Sequence, residues 1–141
     1  MSESGSCKRV RVSSDARRWA DGWRRAWDEH DADAVAALYA ADAVDYSAPF
    51  RAPNVGREGV RAYARWAFAS ETEQQVWFGE PLEQGDRALV EWWTTRIDDG
   101  RESSLAGCTV LRFGPDGLVT EARNYWHEED GRRSRPEGWG G

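Results

Sequence analysis

The chain has 141 residues, enough for one hydrophobic core and too few for a second sizeable domain. Nineteen basic against 25 acidic side chains leave a net charge of -6, the wrong sign for a general nucleic-acid binder that works by neutralising phosphates. No apolar run is long enough to span a membrane, and the N-terminus lacks the hydrophobic stretch of a signal peptide, so a cytoplasmic protein without membrane or nucleic-acid partners is expected. The two cysteines, Cys7 and Cys108, have no metal-site spacing and build no disulfide framework; neither metal nor cofactor is implied.

Residues 1–13 read as a flexible polar leader. Ser14 then offers a side-chain cap and Asp15 a favourable charge for a helix start. Trp19, Trp23 and Trp27 recur every four residues, with Ala16, Ala20 and Ala26 widening the same face. That row reads first as packing against a sheet. His30 reads as a cap or exposed residue at the helix end. Asp31 is placed to cap a short second helix reaching Leu38 and Tyr39. A short strand, Asp42-Ala43-Val44-Asp45-Tyr46, follows, and then an irregular segment holding Pro49 and Pro53. A third helix runs from Gly56 to about Ala69, with Val60, Tyr63, Ala64 and Ala67 on its apolar stripe and Trp66 near an edge.

From residue 75 the period changes to that of strands. Expected strands are Gln75–Gly79, Arg87–Ile97, Glu102–Phe113 and Leu118–His127, with turns at Asp98-Asp99-Gly100 and Gly114-Pro115-Asp116-Gly117. Residues 128–141 form a charged, glycine-rich tail in which Trp139 either tucks against the domain or stays free. The expected class is α+β: three helices packed against a curved, mainly antiparallel sheet, with residues 14–127 as the single domain.

Trp92 and Trp93 are adjacent in a strand, so their rings face opposite ways. With the Trp93 face inward, Glu91 enters an aromatic pocket as a base or polar ligand contact; a one-residue shift exposes it instead. His127 is the strongest single candidate for proton transfer, because imidazole titrates near neutral pH; Glu91 or Asp45 would orient it. Its other reading is a hydrogen-bonded strand end or an interface residue. Asp45 and Tyr46 point to opposite faces, so only one of them enters a given cavity, Tyr46 as a donor to a carbonyl or enolate. Tyr39, Tyr63, Trp66 and Trp93 suit cavity walls, and Arg123 suits an anionic ligand or an ion pair with Glu121 or Glu91.

The order of the Trp27-to-Tyr39 helix pair, the Asp42–Tyr46 strand, Gly56-Arg57-Glu58-Gly59-Val60-Arg61-Ala62-Tyr63, the Trp92-Trp93 strand and terminal Arg123-Asn124-Tyr125-Trp126-His127 resembles the NTF2-like superfamily, particularly SnoaL-like proteins, over residues 15–127. The resemblance implies a cone-like α+β fold with a deep pocket, commonly in a homodimer. Such folds house ketosteroid isomerases, polyketide cyclases, epoxide hydrolases, dehydratases and noncatalytic binding domains. The functional expectation is a small-molecule pocket for an apolar organic ligand, worked by cofactor-free acid/base chemistry through His127, Glu91, Asp45 and Tyr46. The alternatives are noncatalytic ligand binding and a homodimeric or partner-binding module. No complete Asp-Arg-Asp set of the limonene-type epoxide hydrolases is assigned in the sequence.

Overall fold

The computed structural model describes residues 14–141. The expected leader, and Cys7 within it, lie outside the described residues. Helix α1 (Asp15–Glu29) begins where the Ser14 side chain accepts the Arg17 amide at 3.0 Å. It ends at His30, whose left-handed backbone (φ 55°) turns the chain so that the Asp31 amide reaches back to the Ala26 carbonyl. Asp31 caps α2 (Ala32–Ala36) by accepting from the Ala34 amide. This helix is shorter than expected: Tyr39 opens strand β1 (Tyr39–Tyr46) instead of closing a helix. Strand β2 (Asn54–Val55) leads into α3 (Gly56–Phe68).

Five further strands follow: β3 (Glu71–Phe78), β4 (Leu82–Gln84), β5 (Arg87–Asp98), β6 (Arg101–Phe113) and β7 (Val119–Asp130). β2 and β4 were not anticipated, being too short to show a period. β7 continues three residues past His127 because it pairs along β6 as far as Ser103 with Asp130.

The seven strands form one sheet in the order β2-β1-β7-β6-β5-β3, with β4 beside β5. The architecture is α+β, three helices against a mixed sheet. The sheet is not wholly antiparallel: β1 lies parallel to β7, with Val44, Asp45 and Tyr46 opposite Glu121, Ala122 and Arg123. This pairing joins segments far apart in sequence and sets Asp45 next to the inward side of β7.

Alternation along the strands sorts the side chains into two faces. Ala88, Val90, Trp92 and Thr94 of β5 are buried, as are Thr109 and Leu111 of β6 and Val119 and Ala122 of β7. The tryptophan row of α1 packs on this face. Trp19 meets Phe78 edge-on at 5.7 Å, Trp27 meets Trp92 at 5.7 Å, and Trp23 meets Phe68 of α3 at 6.3 Å. Each such pair adds about 0.5–1.5 kcal/mol beyond the area it buries.

Gly107 of β6 lies between Trp92 on β5 and Trp126 on β7. A methyl group there would come within 2.1 Å of the Tyr125 carbonyl oxygen, so the close approach of the strands requires glycine.

The other sheet face is covered in part by the chain's end. Trp139 donates to Glu91 at 2.7 Å and packs edge-on to Trp93 at 5.3 Å. Arg135 lies 3.9 Å over the Trp77 ring, and the Glu80 amide donates to the Gly140 carbonyl. No helix among the described residues is long and apolar enough to cross a membrane.

Candidate functional site

Between the helices and the inner sheet face lies a cavity of about 510 Å³. Helix α1 contributes Trp19, Trp23 and Trp27; α3 contributes Tyr63, Trp66 and Phe68; β3 contributes Phe78 and β5 Trp92. Its polar wall is built from Asp45 and Ser47 at the end of β1, Thr109 of β6, and Asn124 and Trp126 of β7.

Asp45 is 5 % exposed, and its carboxylate is held by neutral amides: Asn124 donates to Oδ1 and Asn54 to Oδ2, each at 3.1 Å. Burial, the dominant influence, raises its pKa above the usual carboxylate value, and the two amide bonds counteract only part of that. Among the described residues no ion pair neutralises it. Asn124 is in turn oriented by Thr109, whose hydroxyl donates to Asn124 Oδ1 at 2.6 Å and accepts from the Trp92 indole at 3.0 Å. Asn124 also donates to the Tyr46 carbonyl at 2.8 Å. One hydrogen-bonded chain therefore runs Trp92–Thr109–Asn124–Asp45–Asn54.

Tyr39, 2 % exposed, accepts from the indoles of Trp19 (3.2 Å) and Trp23 (2.9 Å). What remains for the phenol to offer is its own O–H. Burial raises its pKa, and the Asp45 charge raises it further, so it stays protonated. Tyr63 is raised likewise, chiefly by burial, and hydrogen-bonds with Ser47 and Arg51.

A second polar cluster borders the same space. Glu71, 3 % exposed, accepts from Trp27 at 2.8 Å and from Arg96 at 3.2 Å, and its Oε1 lies 3.2 Å from His30 Nε2. Arg96 also reaches Glu128 at 3.3 Å and Asp98 at 3.7 Å. Among the described residues no group of three or more His, Cys, Asp or Glu side chains is arranged to hold a metal ion.

Of the residues singled out in the sequence, Asp45, Tyr39, Tyr63 and Trp66 line the cavity, Trp66 at an exposed edge. Glu91, Trp93, Tyr46, Arg123 and His127 do not. The strand phase is the opposite of the one that would bring Glu91 inside: Trp92 faces the cavity, and Trp93 donates to the Arg133 carbonyl on the tail side. Arg123 pairs with Glu121 at 3.0 Å, which is one of its two expected states. His127 is exposed, on the face opposite Asn124 and Trp126.

Sequence reasoning passed over Thr109, Asn124, Glu71 and Arg96. A signal was available for β5: the Ala88-Val90-Trp92-Thr94 alternation carries no charge, whereas Leu89-Glu91-Trp93-Thr95 does.

Among known structures the fold is similar to RV0760c from Mycobacterium tuberculosis, at 22% identity, covering 86% of this chain and 99% of that one with a TM-score of 0.73. It is similar also to a hypothetical protein with a ketosteroid isomerase-like fold from Catenulispora acidiphila in complex with trimethylamine, at 21% identity over 76% and 83% of the two chains with a TM-score of 0.68. A third likeness is to an LEH-like epoxide hydrolase of M. tuberculosis, at 21% identity over 80% and 83% with a TM-score of 0.66. At these identities the likeness is one of fold. No curated protein sequence matches the chain significantly. The model of the SnoaL-like domain matches residues 17–122, and with the fold it establishes that the chain belongs to the SnoaL-like family of the NTF2-like superfamily.

Proposed function

We propose that the protein takes a small, largely apolar organic molecule into this cavity and exchanges a proton with it through Asp45. The observation that carries the reading is a buried carboxylate, raised in basicity and held only by amides, facing an aromatic space large enough for such a ligand. In its ionised form Asp45 removes a proton from a carbon beside a carbonyl. The C–H electron pair becomes the C=C bond of an enolate as the carbonyl π pair moves onto oxygen, and the Tyr39 O–H donates to that oxygen. Return of the proton from the Asp45 carboxyl to carbon completes an isomerisation or exchange. The cone-like closure of the sheet and a homodimer belong to the same proposal, together with residues 14–127 as the domain and a cytoplasmic location. Light scattering that gives one 16.0 kDa chain per particle would refute the dimer.

The test is solvent exchange. Cyclic and aryl ketones that quench the cavity tryptophans are incubated in D2O, and deuterium beside the carbonyl is measured by mass spectrometry. Exchange is expected with the natural chain and should fall about 100-fold or more in Asp45→Asn, the lower end of what acid/base groups contribute. Bound ketones that never exchange, or that exchange equally fast with Asp45→Asn, would leave only noncatalytic binding.

Arg96 favours a second reading. Its guanidinium joins Asp98 and Glu128 at the cavity border, an arrangement in which one carboxylate takes a proton from water as the water oxygen bonds to an epoxide carbon, while the other, protonated, delivers one to the epoxide oxygen as its C–O bond breaks. The fold likeness to the LEH-like epoxide hydrolase is in keeping with it. Turnover of epoxides to diols that survives Asp45→Asn and is lost in Arg96→Met would establish this reading over the first.

A further inference from the structure

The tryptophans of the cavity offer a ligand almost no hydrogen-bond donors. Five of the six spend their N–H within the protein: Trp19 and Trp23 on Tyr39, Trp27 on Glu71, Trp92 on Thr109 and Trp126 on the Ser47 carbonyl at 2.6 Å. With the polar ring edges engaged, what the indoles leave for a guest is π-surface, whose electron-rich faces attract positive charge. The wall charges have the same bias. Asp45, Glu71, Asp98 and Glu128 face the cavity against Arg51 and Arg96. Arg96 is committed to three of those carboxylates, which leaves Asp45 without a cation among the described residues. Arg51 is exposed and lies 5.5 Å over the Trp126 ring, so one wall of the cavity already carries a cation on an indole face.

A buried carboxylate is costly without a partner, and a cationic guest that brings no protein charge with it supplies one. An anionic guest would meet the opposite: carboxylates, π-faces, and guanidiniums already engaged. We infer that the cavity recognises an organic cation, a tertiary or quaternary ammonium on an apolar body, with its positive nitrogen beside Asp45 and its alkyl groups on the aromatic walls. This deepens the proposed function, since it names the ligand class of the same cavity. It also suits proton transfer there, because a neighbouring positive charge keeps Asp45 ionised.

The experiment compares two probes of one shape, benzyltrimethylammonium and neopentylbenzene, which differ in having a charged nitrogen or a neutral carbon at the branch. Binding at pH 7 is followed by tryptophan fluorescence in the natural chain and in Asp45→Asn, with circular dichroism as the check on folding. The cation should bind at least about 10-fold tighter than its neutral twin, in the range of a partly desolvated cation–π and charge contact. Asp45→Asn should weaken the cation about 10-fold and leave the neutral probe within about 2-fold. Equal affinities, or tighter binding of the neutral probe, would overturn the cation inference while the apolar cavity of the proposed function stands. Failure of both probes to bind would overturn the two together. Should Asp45→Asn fail to fold, Trp92→Leu provides the second variant: it removes an indole face and is expected to weaken the cation more than the neutral probe. Equal weakening of both would count against the inference.

Discussion

Replacing Thr109 with valine separates the hydrogen-bond chain behind Asp45 from the packing around it, because the two side chains are nearly the same shape. Thr109 is 1 % exposed; its hydroxyl accepts from the Trp92 indole at 3.0 Å and donates to Asn124 at 2.6 Å. In Thr109→Val the indole N–H loses its acceptor at a residue only 7 % exposed, which costs about 1–3 kcal/mol. The Asn124 carbonyl loses its donor on a side chain that is only half-buried, so its share is at the low end, about 1 kcal/mol. The added methyl recovers some of this, about 0.5–1 kcal/mol. The net expectation is destabilisation by about 2 kcal/mol, read as a lowered urea midpoint at unchanged slope. In a Trp92→Phe background there is no N–H to strand, so the same change should cost about 2 kcal/mol less. That coupling is large enough for a double-mutant cycle to resolve. A Thr109→Val midpoint indistinguishable from the natural chain, or a cost unaltered by Trp92→Phe, would refute the network as an energetic unit.

Three further outcomes follow from the same geometry. Gly107→Ala places a methyl against backbone between two tryptophan-bearing strands, so it should cost more than about 3 kcal/mol or prevent folding; thermal unfolding within a few degrees of the natural chain would contradict that contact. Thr94→Val replaces a fully buried hydroxyl that has no hydrogen-bond partner among the described residues, and should stabilise by about 1 kcal/mol in urea titration, with a loss of stability as the opposing result. The pH dependence follows from burial holding the folded pKa of Asp45 above its unfolded value near about 3.9. The native state then binds the proton more tightly, so this group's stabilisation is complete below the unfolded pKa and is lost as pH rises through the folded one. Asp45→Asn cannot ionise. Its stability relative to the natural chain should therefore grow as pH rises from about 4 and level off above the folded pKa; a difference that is flat from pH 4 to 8 would count against the shift.

Much of the fold was open to reading in one dimension, because its causes are local. Ser14 and Asp31 announce helix starts since their side chains satisfy amides three residues on. The four-residue recurrence of tryptophan fixes which side of α1 is buried, and the glycine-containing turns separate long strands. The candidate site was legible only in part, for reasons visible in β5. A strand pattern identifies two faces, but its usual signal, apolar inside and polar outside, weakens when both faces carry tryptophan. Here the outer ring, Trp93, is apolar because Trp139 and the tail pack on it, 46 residues further along the chain. With tryptophan on both faces, the single charge of Glu91 is the one local mark of the outer phase. His127 belongs to the outer side by the same alternation.

What the sequence by itself determined, then, is the three helices, the longer strands and the superfamily, since capping, periodicity and turn chemistry act over a few residues. What only the tertiary structure decided is the composition of the cavity wall. Asp45 becomes a candidate acid–base group because β1 pairs in parallel with β7 and sets its carboxylate against Asn124, 79 positions away. Tyr39 faces the space because α1 lays two indoles on its oxygen. Those contacts depend on how strands and helix pack across the whole chain, and burial then gives Asp45 its altered affinity for a proton.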